Sequence, residues 1–94
     1  MFMPFAVKFE VTLPESTPEE AQKMLDEGIV PRAKAQPGFM NGVWMRKVSS
    51  SREGVGVVVF GSEQQARDAS EALRPPPGGP DVRGVDIYEV GAIA

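Results

Sequence analysis

Apolar and polar residues alternate without interruption near the start of the chain, with Phe5, Val7, Phe9 and Val11 set against Ala6, Lys8, Glu10 and Thr12. This period of two predicts a strand with one strongly apolar face. Leu13-Pro14-Glu15-Ser16 breaks it. Thr17-Pro18-Glu19-Glu20 then carries a helix start: Thr17 as N-cap, Pro18 at the first helical position where its missing N–H costs nothing, and Glu20 reaching back to close a capping box. Ala21, Met24, Leu25, Gly28 and Ile29 fall on one helical stripe, while Gly28 and Pro31 predict a kink or an early end before Ala35 and Gln36.

Gln36-Pro37-Gly38 is a turn, and a second strand follows over residues 39–48, up to a polar loop at 49–54. Residues 54–61 are too short and too β-branched for a helix and make strand three. Ser62-Glu63-Gln64-Gln65 repeats the capping-box logic, and Ala66, Ala69, Ser70 and Leu73 form a small-residue face on a helix ending near Arg74. The Pro- and Gly-rich stretch 75–80 can be neither helix nor ladder, and residues 82–90 supply the last strand.

The order βαββαβ with right-handed crossovers gives an α+β, ferredoxin-like domain over residues 1–94, a four-stranded antiparallel sheet with both helices on one face. The other face should be polar in a monomer. Strand three is instead apolar on both sides, with Val55, Val57 and Val59 on one and Val58 and Phe60 on the other. If Ser49 to Gly54 form the hairpin loop, Trp44 opposes Val59 and lies on the open face; a shift of one residue puts Val43 and Met45 there instead. Either register leaves an apolar patch, which on a small domain signals a partner.

Composition narrows the chemistry. The chain has 94 residues, 10 Lys plus Arg against 13 Asp plus Glu, and neither Cys nor His. That excludes a thiol nucleophile, a disulfide, a Cys/His zinc site, imidazole acid-base catalysis and His- or Cys-ligated haem. A net charge of −3 argues against a polyanion binder. The apolar start Met1-Phe2-Met3-Pro4-Phe5 has no basic flank and is interrupted by Lys8 and Glu10, so neither a signal peptide nor a membrane span is expected, and a cytoplasmic location is. No carboxylate pair or phosphate-binding loop stands out, and no metal or cofactor is expected.

The RNA-recognition motif shares this topology, and Gly54-Val55-Gly56-Val57-Val58-Val59-Phe60 keeps the glycines and final aromatic of its third strand. The two positions that stack on bases are Val55 and Val57, and Glu53 replaces the leading basic residue. Without stacking platforms, no nucleic-acid partner is expected.

Gln36-Pro37-Gly38-Phe39 with Gly42 and Trp44, the run from Gly56 to Phe60 ahead of an acidic, Ala-rich helix, and Val85-Asp86-Ile87-Tyr88-Glu89-Val90 together resemble the dimeric α+β barrel superfamily, in particular its small antibiotic biosynthesis monooxygenase-like proteins. The resemblance spans almost the whole chain and rests on structural positions. It implies a homodimer paired through the open sheet face, as Val55, Val57 and Val59 independently suggest. It further implies binding, or cofactor-independent oxidation, of a small aromatic or polyketide-like metabolite, with Asn41, Trp44, Arg46 and Tyr88 as the polar and aromatic residues available to hold it. The haem-degrading branch takes its axial ligand from a His, which this chain lacks.

Each of those four residues also has a plainer role: Trp44 as interface packing, Arg46 paired with a strand carboxylate such as Glu10, Tyr88 as a core-edge ring, Asn41 as a turn or bulge residue. The alternative to a ligand site is accordingly a non-catalytic dimerisation or interaction module. A cavity lined by Trp44, Tyr88 or Arg46 favours the ligand; one filled by Met24, Leu25 and Phe60 favours the module.

Overall fold

The alternating stretch forms β1 (Phe5–Thr12), followed by a long helix and the strands β2 (Phe39–Arg46) and β3 (Glu53–Phe60). A second helix, α2 (Glu63–Ala72), leads to β4 (Asp81–Glu89). The computed structural model describes residues 3–75 and 79–94, so the expectations for Met1, Phe2, Pro76, Pro77 and Gly78 lie outside the described residues. The strands form one antiparallel sheet in the order β2-β3-β1-β4, which is the ferredoxin-like arrangement. No described helix is long and apolar enough to cross a membrane.

The first helix, α1, runs over residues 18–34 in three segments: α-helical Pro18–Met24, π-helical Leu25–Ile29 and α-helical Val30–Lys34. Its capping box forms as expected. The Thr17 N–H donates to Glu20 Oε1 at 2.9 Å and the Glu20 N–H to Thr17 Oγ1 at 3.1 Å. The helix does not end early: a π turn intervenes before Pro31, with the Val30 N–H reaching back to the Leu25 carbonyl. Widening the ladder by one residue relieves the clash between the Pro31 ring and the carbonyl four residues before it, so the helix continues instead of ending.

Gln36-Pro37-Gly38-Phe39 is a β-turn closed by a 3.2 Å bond from the Phe39 N–H to the Gln36 carbonyl. Gly38 has φ +80° at the position where only glycine is comfortable, and a Cβ there would also run into the Gln65 side-chain amide. Ser62 caps α2 through the Gln65 N–H at 3.2 Å, but the Gln65 side chain is turned toward Gly38, so only half of the predicted capping box forms.

The core lies between α2 and the upper half of the sheet, where Val7, Phe9, Val58, Phe60, Ala66 and Ala69 are buried together with Ala33 of α1. Phe39 and Phe60 meet edge to face at 6.4 Å. The two alanines let α2 lie close on the strands. α1 behaves differently, since Ala33 is its one buried residue and Pro18–Met24 has none.

Candidate functional site

The register of β2 decides which side chains face the helices. Trp44 pairs with Gly56, Arg46 with Gly54, and Val43 with Val57. The hairpin loop therefore starts earlier than Ser49, and the alternative register is the one adopted. This corrects the expectation that Trp44 lies on the open face: Trp44 and Arg46 face α1, and Val43 and Met45 take the open side.

On the helix side, the lower half of β3 carries Gly54 and Gly56 where the upper half carries Val58 and Phe60. Two missing side chains beneath a helix leave a gap. Trp44 fills part of it, lying across Gly42 of its own strand and Gly56 of the next; a Cβ at Gly42 would stand 2.6 Å from Trp44 Cη2, and one at Gly56 3.0 Å from Cδ1. Val11 and Leu13 cover Gly54 in the same way. Above this floor the stripe Ala21, Met24, Leu25, Gly28 and Ile29 stands off, and a cleft of about 870 Å³ opens between the two layers. Met24 and Leu25 line the cleft and leave it unfilled, while Phe60 is fully buried in the core. This volume lies within the range of small-molecule sites, ~300–1,000 Å³.

The cleft contains Arg32, Arg46 and Arg52 but only one carboxylate, Glu15. Arg32 Nη2 donates to the Ala72 carbonyl at 2.8 Å and the Arg74 carbonyl at 3.4 Å, tying α1 to the end of α2. Arg52 Nε donates to the Leu13 carbonyl at 2.9 Å, and the Leu13 N–H returns a 2.7 Å bond to the Arg52 carbonyl. Arg46 has neither hydrogen bond nor ion pair among the described residues. The predicted Arg46–Glu10 pair does not form, because the two lie on opposite faces and Glu10 sits 3.8 Å from Lys8. Sequence reading missed Arg32 and Arg52. The Gly54-x-Gly56 alternation was the available signal for a gap at this point.

Asn41 and Tyr88 lie on the opposite face, where Asn41 pairs with Val59 and Tyr88 with Ala6. The structure thus brings Trp44 and Arg46 together in the cleft and keeps Asn41 and Tyr88 apart from them. The irregularity in the β2–β3 ladder falls between Phe39 and Asn41, so Met40 is the residue without a partner and Asn41 next to it is paired with Val59. Tyr88 is about half exposed, as are Val43 and Met45, and with Val55 and Val57 they make the open face a broad apolar surface carrying the Lys8–Glu10 pair. No three described acidic residues cluster as a metal site would require.

The architecture matches solved structures along nearly its full length. Superposition on SnoaB, a cofactor-independent oxygenase from Streptomyces nogalater, gives a TM-score of 0.71 at 14% identity, covering 97% of this chain and 96% of that one. The heme-degrading protein of Mycobacterium tuberculosis, in its heme-free form, gives 0.66 at 18% identity, with 100% and 98% covered. A Chloroflexus aurantiacus protein assigned as an antibiotic biosynthesis monooxygenase gives 0.58 at 14%, with 97% of each chain covered. No protein-family model matches the sequence, and no curated protein matches it significantly. The chain shares its ferredoxin-like α+β fold with these proteins.

Proposed function

We propose that the protein binds a small, planar aromatic or polyketide-like metabolite in the cleft between α1 and the sheet. The observation that carries this reading is the unfilled cleft itself, floored by Trp44 and bordered by the uncommitted guanidinium of Arg46. An aromatic ligand gains stacking against the indole and burial against Met24, Leu25 and Ile29; Arg46 stabilises negative charge on it. The chain carries neither thiol nor imidazole. In this reading any oxidation draws on the ligand's own electron-rich ring and molecular oxygen, and the fold shared with a cofactor-independent oxygenase supports it. Asn41 and Tyr88 belong, in this reading, to a homodimer interface formed by pairing two open faces. The cleft favours the ligand site over the non-catalytic module because Met24 and Leu25 leave it unoccupied.

Trp44 is the only tryptophan in the chain and serves as the native probe. Phenols and anthrones should quench its fluorescence saturably, and oxygen uptake should accompany turnover of a true substrate. Arg46→Met should lower that turnover, whereas Tyr88→Phe should leave it intact. If no planar compound quenches Trp44 saturably, the ligand reading fails and the dimerisation module stands.

A further inference from the structure

Charge is distributed unevenly over this acidic chain. Three of its ten basic residues line the cleft, all of them arginines, against one of its thirteen carboxylates. The surrounding surface of the cleft is mostly apolar, supplied by residues such as Val11, Leu13, Leu25 and Ile29. All three arginines are exposed at the border of the cleft, so an anion would be held by direct pairing with a guanidinium while its apolar body is buried.

The three arginines are not equivalent. Arg32 is spent on the carbonyl end of α2, and Arg52 clamps the hairpin to Leu13. Of the three, Arg46 alone has its full fork of donors uncommitted among the described residues. It lies two residues from Trp44 on the same face of β2, so the strand rise sets their backbone origins ~7 Å apart. That separation suits a fused aromatic ring over the indole with an acidic group at its rim.

We infer that the cleft selects aromatic ligands bearing a carboxylate, with Arg46 as the residue that recognises the acid and Trp44 as the surface that receives the ring. The inference deepens the reading of the cleft as a ligand site and rests on it. A planar carboxylate matches the guanidinium in a two-point pairing. A phosphate monoester can pair with a guanidinium in the same way, but its nearly two charges exceed the one that Arg46 neutralises.

Binding of 2-naphthoate, its uncharged isostere 2-naphthamide and 2-naphthyl phosphate, measured by equilibrium dialysis at neutral pH and low salt, tests this. Naphthoate should bind at least about tenfold more tightly than the amide, the size expected of a hydrogen bond to a charged group. Arg46→Met should abolish that preference and leave amide binding nearly unchanged. Lys8→Met removes the same charge from the opposite face and should preserve it. Equal binding of acid and amide by the wild-type protein, or a preference that survives in Arg46→Met, overturns the inference while leaving an aromatic site in place. Tighter binding of the phosphate overturns the carboxylate specificity. If none of the three compounds binds and the phenols and anthrones also fail, the ligand-site reading falls and the inference falls with it.

Discussion

The indole of Trp44 rests on Gly56, its direct partner across the β2–β3 ladder, so closely that a Cβ on that glycine would stand 3.0 Å from Cδ1 and 3.2 Å from Nε1. Gly42 holds the far rim of the same ring, with 2.6 Å to Cη2 and 2.9 Å to Cζ3. The floor of the cleft is therefore a tryptophan packed over two glycines.

Adding a methyl group at either glycine should lift the ring, and Gly42→Ala should do so more severely than Gly56→Ala. Overpacking of this kind costs about 1–3 kcal/mol, against which the stiffer Ala backbone returns roughly 0.5–1 kcal/mol. Gly42→Ala should thus lower the melting temperature by several degrees, at about 4–8 °C per kcal/mol for a domain of this size. Gly56→Ala should be near neutral. Near-UV circular dichroism of the single Trp should change in both, and an unchanged indole signal in Gly42→Ala would contradict the arrangement.

The open face makes a separate prediction about assembly. Val57 sits in its centre, paired with Lys8 on one side and Val43 on the other. If two copies pair through this face, the protein should be a dimer at micromolar concentration and Val57→Lys should yield a folded monomer, because an unpaired buried ammonium costs several kcal/mol. Light scattering decides between these outcomes. A monomeric wild type, or a dimer that tolerates Val57→Lys, counts against the interface.

At the start of α1, the Thr17 backbone N–H, and to a lesser degree the Thr17 hydroxyl, holds the Glu20 carboxyl below its ordinary value of 4.5. A depressed folded pKa means that the ionised form contributes stability in full above the ordinary value, and that the contribution is lost as pH falls through the lower folded value. Thermal stability should therefore decline on acidification below about pH 4.5. Glu20→Gln should flatten that part of the profile, and Thr17→Ala should cost about 1 kcal/mol at neutral pH. A Glu20→Gln profile as steep as the wild type would show that other carboxylates govern the acid limb.

The same open face is the one that would read RNA in a domain of this topology. Val55 and Val57 do face that way, and neither provides a ring to stack on a base. Fluorescence anisotropy with a mixed-sequence single-stranded oligonucleotide should show no binding at physiological salt. Low-micromolar, salt-sensitive association would reverse that conclusion.

Much of the fold is local physics and was legible from the residues alone. Alternation placed β1 and its apolar face; Thr17, Pro18 and Glu20 marked the start of α1; Pro37 and Gly38 marked the turn before β2. These features depend on neighbours a few positions away, so the one-dimensional pattern contains them. The course of α1 past Pro31 was less legible, because proline forbids the regular ladder without saying whether the chain ends the helix or widens it. Continuation through a π turn was settled by the surroundings of Val30–Lys34, where Ala33 is buried against the core.

The site depended on a single choice that no local signal contains. Sliding β2 by one residue moves Trp44 and Arg46 from one face of the sheet to the other, since side chains alternate at every step. In the chain, Phe39, Val43 and Met45 compete with Trp44 for burial on comparable terms. The glycines at positions 42, 54 and 56 break the tie, because they leave a space under α1 that the indole fits and a β-branched residue would not fill. That space exists only once β2, β3 and the helix are assembled. The sequence alone therefore determined that this is a ferredoxin-like sheet with an apolar open face and no His or Cys chemistry; the tertiary structure decided that Trp44 and Arg46 share a cleft while Asn41 and Tyr88 look the other way.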